Sequence, residues 1–350
     1  MPVRDDLRAL DGYHSPQVDV RVRLNTNESP LPPPAGWTEE LVAALHGIAW
    51  HRYPDRGATA LRAAIAELHG VRPDQIFAAN GSNEVLQTLL LAYGGAGRRV
   101  VTFEPTYQLH RHIARISGAT VVEGERDGGF TLRLAEVERV LARAEPAVTF
   151  LCSPNNPTGI GEPESLVRQV LARVPGVLVV DEAYAQFAPW SALGLVRDDR
   201  PLVVTRTFSK TWSMAAARLG YLVGPAWLVA ELDKVVLPYH LDAFKQEAGR
   251  LALAHVDEME ARVKLIVDER ERLFAALSAL PVDVWPSGAN FLLFRPRDRS
   301  GQAVWEGLLE RSVLVRNCAT WPRLADCLRV TVGTPEENDA FLAAAAAELA

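Results

Sequence analysis

The chain has 350 residues, 48% of them hydrophobic and 23% charged, the composition of an ordinary globular protein long enough for roughly two domains. A net charge of −6 and a pI near 5.8 argue against nucleic acid or an anionic membrane as the main partner, so small anions have to be met by local arginines. No apolar run approaches the roughly 18 residues of a membrane span, and the opening MPVRDDLRALDG lacks the apolar centre of a signal peptide.

Residues 1–37 are polar and Pro-rich, ending in LNTNESPLPPP, and read as an extended arm with a short helix at its start. Such an arm has little core of its own and must lie on the carboxyl-terminal part of the chain or on a second subunit. From Thr38 helices alternate with short apolar runs. Helices are predicted over 38–48, 58–69, 82–93, 107–117, 132–143 and 163–174, and strands over 76–80, 99–104, 147–152, 177–181, 202–206 and 218–223. This alternation predicts an α/β domain over 38–240, a mostly parallel sheet covered by helices on both faces. The GGAG at 94–97 follows a helix and precedes a strand, the reverse of a dinucleotide fingerprint, and reads as a turn.

After Pro238 the order changes. One long amphipathic helix is predicted over roughly 242–277, then the strand-like VDVWPSGANFLLF, a helix near 301–312, strands near 313–317 and 327–332, and a last helix from about 335. Mixed strands and helices predict a smaller α+β domain over 241–350. Cys152, Cys318 and Cys327 form neither a CxxC pair nor a zinc spacing, and an odd number fits reduced thiols in the cytoplasm. His110 and His112 stand two apart on a predicted helix and face different ways, which argues against a metal site. The charged stretch DEMEARVKLIVDERER at 257–272 reads as a solvated helix face.

Ligands of open parallel sheets sit beyond the carboxyl ends of the strands. Four predicted strands break there into unusual polar sequences: Asn80-Gly81-Ser82-Asn83-Glu84, SPNNPTG at 153–159, Asp181-Glu182-Ala183-Tyr184, and Thr207-Phe208-Ser209-Lys210. Gly81, Ser82 and Asn83 open a helix, whose free amides and dipole suit an anion. Thr207, Ser209 and Arg218 add the donors a phosphate would take. Asp181 follows the apolar run VLVV and needs a cationic or hydrogen-bonding partner to stay ionised. Lys210 ends a buried strand; lost hydration lowers its pKa and makes its neutral amine available for condensation with a carbonyl.

SPNNPTG, DEAY and TFSK, with Arg218 eight residues beyond Lys210, resemble the motifs of pyridoxal-phosphate enzymes of the aspartate-aminotransferase fold. LNTNESP, HRYPD, PYHLD and VRNCATWPRLADCLRVTVGTPEEN are more closely similar to histidinol-phosphate aminotransferases, and the likeness runs from Tyr13 to about Gly333. The resemblance implies the type I fold of pyridoxal-phosphate-dependent transferases, with a mostly parallel seven-stranded sheet and a smaller α+β domain. It implies pyridoxal 5'-phosphate as cofactor, with Lys210 the Schiff-base lysine, Asp181 the partner of the ring nitrogen, Asn156 and Tyr184 ligands of the ring oxygen, and Tyr107 stacked on the ring. Gly81, Ser82, Asn83, Thr207, Ser209 and Arg218 would form the phosphate site. One departure is Ser82-Asn83 where Ala-Asp is common, which leaves the task of the Asn83 side chain open.

By the same resemblance Arg329 holds the substrate carboxylate, Arg316 is a second substrate arginine, and Tyr13 and Asn27 lie on the substrate side. Tyr53 reaches the cofactor and substrate in a neighbouring subunit, which makes the enzyme a homodimer. The implied reaction is amino transfer between L-glutamate and imidazole-acetol phosphate. Aromatic amino-acid aminotransferase and threonine-phosphate decarboxylase share the fold and most motifs and are the alternatives. The same fold also occurs in transcription regulators, but these carry an added DNA-binding domain, for which the short polar arm is no match.

Overall fold

A computed structural model describes residues 4, 7, 8, 12 and 17–349, so Tyr13 and most of the helix predicted at the start of the arm lie outside the described residues. The apolar runs form a seven-stranded sheet from β2 (Ile76–Ala79), β3 (Arg99–Glu104), β4 (Thr120–Glu125), β5 (Val148–Cys152), β6 (Val177–Asp181), β7 (Leu202–Thr207) and β8 (Gly220–Val223). Its order is β2-β8-β7-β6-β5-β3-β4, with β8 antiparallel to both neighbours and the other pairs parallel. Every residue of β5, β6 and β7 is buried, as strands covered on both faces require.

Helices pack on the two faces. Val85, Leu86 and Leu89 of α3 (Ser82–Tyr93) share one core with Phe77, Val148 and Val179. Val137 and Val140 of α5 (Leu134–Ala144), with Val167 and Val170 of α6 (Glu164–Leu171), share another with Val101, Leu178 and Val204. The side chains of alternate residues along one strand enter opposite cores, the period of two expected of a pleated sheet.

Three elements depart from the sequence-based expectation. Strand β4 was not expected: its sequence TVVEGE is half polar, and it lies at the sheet edge beside β3, where one side is only partly covered. Helix α7 (Ala226–Val235) also went unread; it buries Leu228, Val229 and Leu232 against the α3 side of the sheet. The long helix of 242–277 is two, α8 (Ala243–Ala252) and α9 (Val256–Ser278). Between them Leu253, Ala254 and His255 close tight turns, and the His255 ring bridges Glu40 and Glu258. No Gly or Pro marks that break.

A second sheet has the order β1-β11-β12-β10-β9, from β1 (Val22–Leu24), β9 (Val282–Val284), β10 (Phe291–Pro296), β11 (Val313–Asn317) and β12 (Leu328–Thr331). The arm therefore supplies its edge: β1 pairs in parallel with β11, Val22 to Val313 and Leu24 to Val315. Its core gathers Ile266, Leu273 and Leu277 of α9, Val304 and Leu308 of α10 (Gly301–Glu310), and Phe341 and Ala345 of α11 (Pro335–Leu349).

Register fixes where the functional candidates fall. Cys152 lies beside Asp181, Asp181 beside Thr205, and Gly220 beside both Thr207 and Ala79. The carboxyl ends of β2, β5, β6 and β7 and the start of β8 thus share one rim.

Candidate active site

A cavity opens at that rim, bounded by the carboxyl ends of the large sheet, by arm residues Thr26 and Asn27, and by Trp321 and Arg329 from the second sheet. At its deep end stands the amino terminus of α3. Gly81 has φ +83°, and a Cβ there would lie 2.9 Å from Nη2 of Arg218. A Cβ at Gly220 would collide with the amide nitrogen of Ser82. Two glycines thus let the helix end, the strand and the guanidinium close up. Arg218 donates from Nη1 to Ser209 Oγ (3.3 Å), and the Ser209 amide donates to Thr207 Oγ1 (3.1 Å). First-turn helix amides have no acceptor within their helix. Ser82, Asn83, Thr207, Ser209 and Arg218 all line the cavity, and this donor set with its positive charge fits a phosphate group.

Asp181 ends β6 only 2% exposed. Its Oδ2 lies 2.8 Å from Nε2 of His110 and its Oδ1 accepts from the Ala183 amide at 3.2 Å. A carboxylate so held, facing a cavity, suits a protonated ring nitrogen. His110 is fully buried, stacked on Phe150 at 4.5 Å with an interplanar angle of 6°. It is a site residue that sequence reading passed over. Tyr107, at the start of α4 (Gln108–Ile116), sits edge-on to His110 and donates its hydroxyl to Asn83 Oδ1 at 3.2 Å, which gives the Asn83 side chain its task.

Lys210 reaches the centre of the cavity wall. Its Nζ donates to the carbonyl oxygens of Asn27 (2.6 Å) and Thr26 (3.3 Å) and lies 5.7 Å from the centroid of the Tyr184 ring. Burial, with help from the Arg329 and Arg218 charges, brings its pKa down to about 7, and Glu28 opposes them. Tyr184 is buried and its hydroxyl accepts from Asn27 Nδ2 at 2.9 Å. Burial pushes its pKa above the usual tyrosine value, with Arg329 and Asn27 acting against that shift. The φ of +54° at Asn27 turns the arm back at this point, and Thr331 Oγ1 anchors it by accepting from the Asn27 amide at 3.0 Å.

Arg329 is 5% exposed, donating to Asn156 Oδ1 (2.5 Å) and to the Asn25 carbonyl (2.9 Å); its Nε is buried without a partner among the described residues. Its guanidinium carbon lies 5.2 Å from the Phe291 ring centroid. Arg316 is its direct cross-strand neighbour, so both side chains leave the second sheet on one face. Arg316 does not itself line the cavity. Nor does Tyr53, which is 80% exposed and stacks on Tyr239 at 4.6 Å. Tyr13 lies outside the described residues. Lys210, Asp181, Asn156, Tyr184, Tyr107, Asn27 and Arg329 come together in one cavity with the anion cradle. Cys152 and Trp321 also line it; neither was singled out from the sequence as a site residue, although Trp321 lies within the VRNCATWPRLADCLRVTVGTPEEN stretch.

Residues 20–344 match the family described as aminotransferase class I and II. The chain is 47% identical to the histidinol-phosphate aminotransferase of Frankia casuarinae over 360 aligned positions, covering 98% of this chain and 89% of that one. It is 44% identical to the enzyme of that name from Thermobifida fusca, covering 97% and 94%. Among solved structures, histidinol-phosphate aminotransferase from Sinorhizobium meliloti in complex with pyridoxal-5'-phosphate superposes with a TM-score of 0.90 at 22% identity, covering 99% of this chain and 97% of that one. L-threonine-O-3-phosphate decarboxylase from Porphyromonas gingivalis gives 0.80 at 21%, covering 92% and 98%. At those identities both report the aspartate-aminotransferase type of fold alone.

Proposed function

This chain belongs to the class I and II aminotransferase family, and on that premise we propose that it is a pyridoxal 5'-phosphate enzyme that moves an amino group between L-glutamate and imidazole-acetol phosphate to form L-histidinol phosphate. The observation that carries the substrate reading is identity of 40% or more, over nearly the whole chain, to many enzymes of that name. The arginine pair of the second sheet supports it.

When bound, pyridoxal phosphate supplies an electron-poor ring that accepts the electron pair left on a substrate carbon as a proton departs. The deep donor set of Gly81, Ser82, Asn83, Thr207, Ser209 and Arg218 would hold its phosphate, and Asp181, oriented by His110, its ring nitrogen. Asn156 and Tyr184 are the residues suited to its ring oxygen, and Tyr107 to its ring face.

The chain's own residues divide the remaining work. Lys210, neutral at a pH above about 7, is a base able to take the proton from the substrate carbon and return it. Its hydrogen bonds to the arm carbonyls of Thr26 and Asn27 hold Nζ in place before substrate arrives. Arg329 presents a planar fork to a carboxylate in one half-reaction and to a phosphate ester in the other, with Arg316 adding positive charge beside it. Asn27, and Tyr13 on the same arm, would close the substrate side.

Tyr53 fits a role in a second subunit, because it is exposed on its own chain and stacked with Tyr239 away from the cavity; we therefore read the enzyme as a homodimer with this tyrosine shared across the interface. We take its place of work to be the cytoplasm, where the three buried thiols stay reduced. No helix among the described residues is long and apolar enough to cross a membrane.

Turnover measured on L-histidinol phosphate, L-phenylalanine and threonine phosphate tests the substrate. The expected kcat/KM is highest for histidinol phosphate, by at least about tenfold. Preference for phenylalanine would make the protein an aromatic aminotransferase, and carbon dioxide from threonine phosphate a decarboxylase.

A further inference from the structure

The loop between the two substrate-side arginines carries one feature that the proposed chemistry leaves unused. The ring nitrogens of Trp37, Trp190, Trp227 and Trp305 each donate to a backbone carbonyl at 2.9 Å, while that of Trp212 is buried without an acceptor among the described residues and lies away from the cavity. Trp321 is 5% exposed and lines the cavity, yet its Nε1–H has no acceptor among the described residues. Because Trp321, unlike Trp212, stands on the cavity wall, a partner for its N–H can come from outside the chain.

Its setting is rigid. The Trp321 amide donates to the Cys318 carbonyl (2.9 Å), and the Leu324 amide to the Trp321 carbonyl (3.2 Å), so turns fix the backbone on both sides. The indole packs with Phe130, Leu293, Cys318, Leu324 and Cys327, which leaves its cavity side as the free one. The register that sets Arg316 opposite Arg329 places Cys318 opposite Cys327, a pairing seen in the 3.0 Å bond from the Cys318 amide to the Cys327 carbonyl. Trp321 therefore closes the hairpin that carries both arginines.

We propose that Trp321 is a specificity-determining residue that donates its Nε1–H to the phosphate of a phosphate-ester substrate. This rests on the substrate reading given above. A guanidinium fork satisfies the two oxygens of a carboxylate, whereas a phosphate monoester brings a third terminal oxygen that the fork does not reach. A neutral donor beside the fork favours the phosphate and adds little for the carboxylate. One hairpin thereby serves both half-reactions while ranking the two kinds of anion.

Trp321→Phe keeps the packed ring and removes the donor. The expected result is a rise of about tenfold in KM and in the calorimetric Kd for L-histidinol phosphate, equivalent to about 1.4 kcal/mol, with L-glutamate changed less than about twofold and kcat held for both. Trp321→Ala, which removes the packing as well, should weaken both ligands. Equal loss for both with Trp321→Phe, or no change for either, overturns the proposal. The wild-type protein is the control that separates the two readings: if it does not turn over histidinol phosphate, the substrate reading fails, and this one with it.

Discussion

Lys210 is the residue whose environment makes the sharpest demand. Burial and two nearby guanidiniums, Arg329 and Arg218, bring an amine that ordinarily titrates at 10.5 to about 7. Competitive acetylation of the protein with acetic anhydride should therefore give a half-point for Lys210 near pH 7; a half-point above 9 would remove its role as base. The sign for stability follows. Between about 7 and 10.5 the folded chain binds fewer protons at this site than the unfolded chain, so this group makes the fold more stable as pH rises across that window. The sequence supported the direction of this shift, because Lys210 follows a run of buried strand residues. It gave no sign of His110, because a histidine on a helix shows its carboxylate partner only when the strand bearing Asp181 is brought against it. Trp321 was equally hidden: the segment that holds it showed its arginines, and only packing reveals which indole lines the cavity.

At the scale of elements, the runs that were read correctly are the ones with a single interpretation. VTFLC, VLVVD and LVVTRT are buried throughout, and no helix of that length would end in the polar clusters that follow them. Strand β4 mixes Val121 and Val122 with Glu123 and Glu125, because an edge strand has only one neighbour and a partly wet face. The break between α8 and α9 is held by hydrogen bonds to Glu40 and Glu258, of which only the second is close in sequence. The contact between α3 and β8 is the element-scale joint of the site. A methyl group at Gly220 would drive into the Ser82 amide, backbone that cannot step aside as a side chain can. Gly220→Ala should destabilise the protein by about 1–3 kcal/mol in denaturant unfolding and lower the visible absorbance gained with added pyridoxal phosphate. Unchanged stability and cofactor uptake would mean that the joint is looser than drawn.

Across the whole molecule the arm joins the parts on which the reaction depends. Its β1 edge belongs to the second sheet, while its next residues bind Tyr184 and Lys210 of the first, so Lys210 and Arg329 are both held through the arm carbonyls of residues 25–27. One surface still asks for a partner: Trp50, Tyr53, Leu237 and Tyr239 are 70%, 80%, 76% and 42% exposed, with two of the rings stacked together. Large apolar side chains gathered on a surface mark an interaction site, and the two-fold contact of a homodimer would place Tyr53 of each chain at the other's cavity. Complementation between inactive variants tests that arrangement. Tyr53→Ala and Lys210→Ala should each be impaired alone. Mixed under conditions that exchange subunits, they should form heterodimers in which one site carries both lesions and the other carries neither. Random exchange makes half the dimers mixed, so activity should rise to about a quarter of the wild-type value per site. If Tyr53 acts on its own chain's cavity, each heterodimer site carries one lesion and mixing restores nothing.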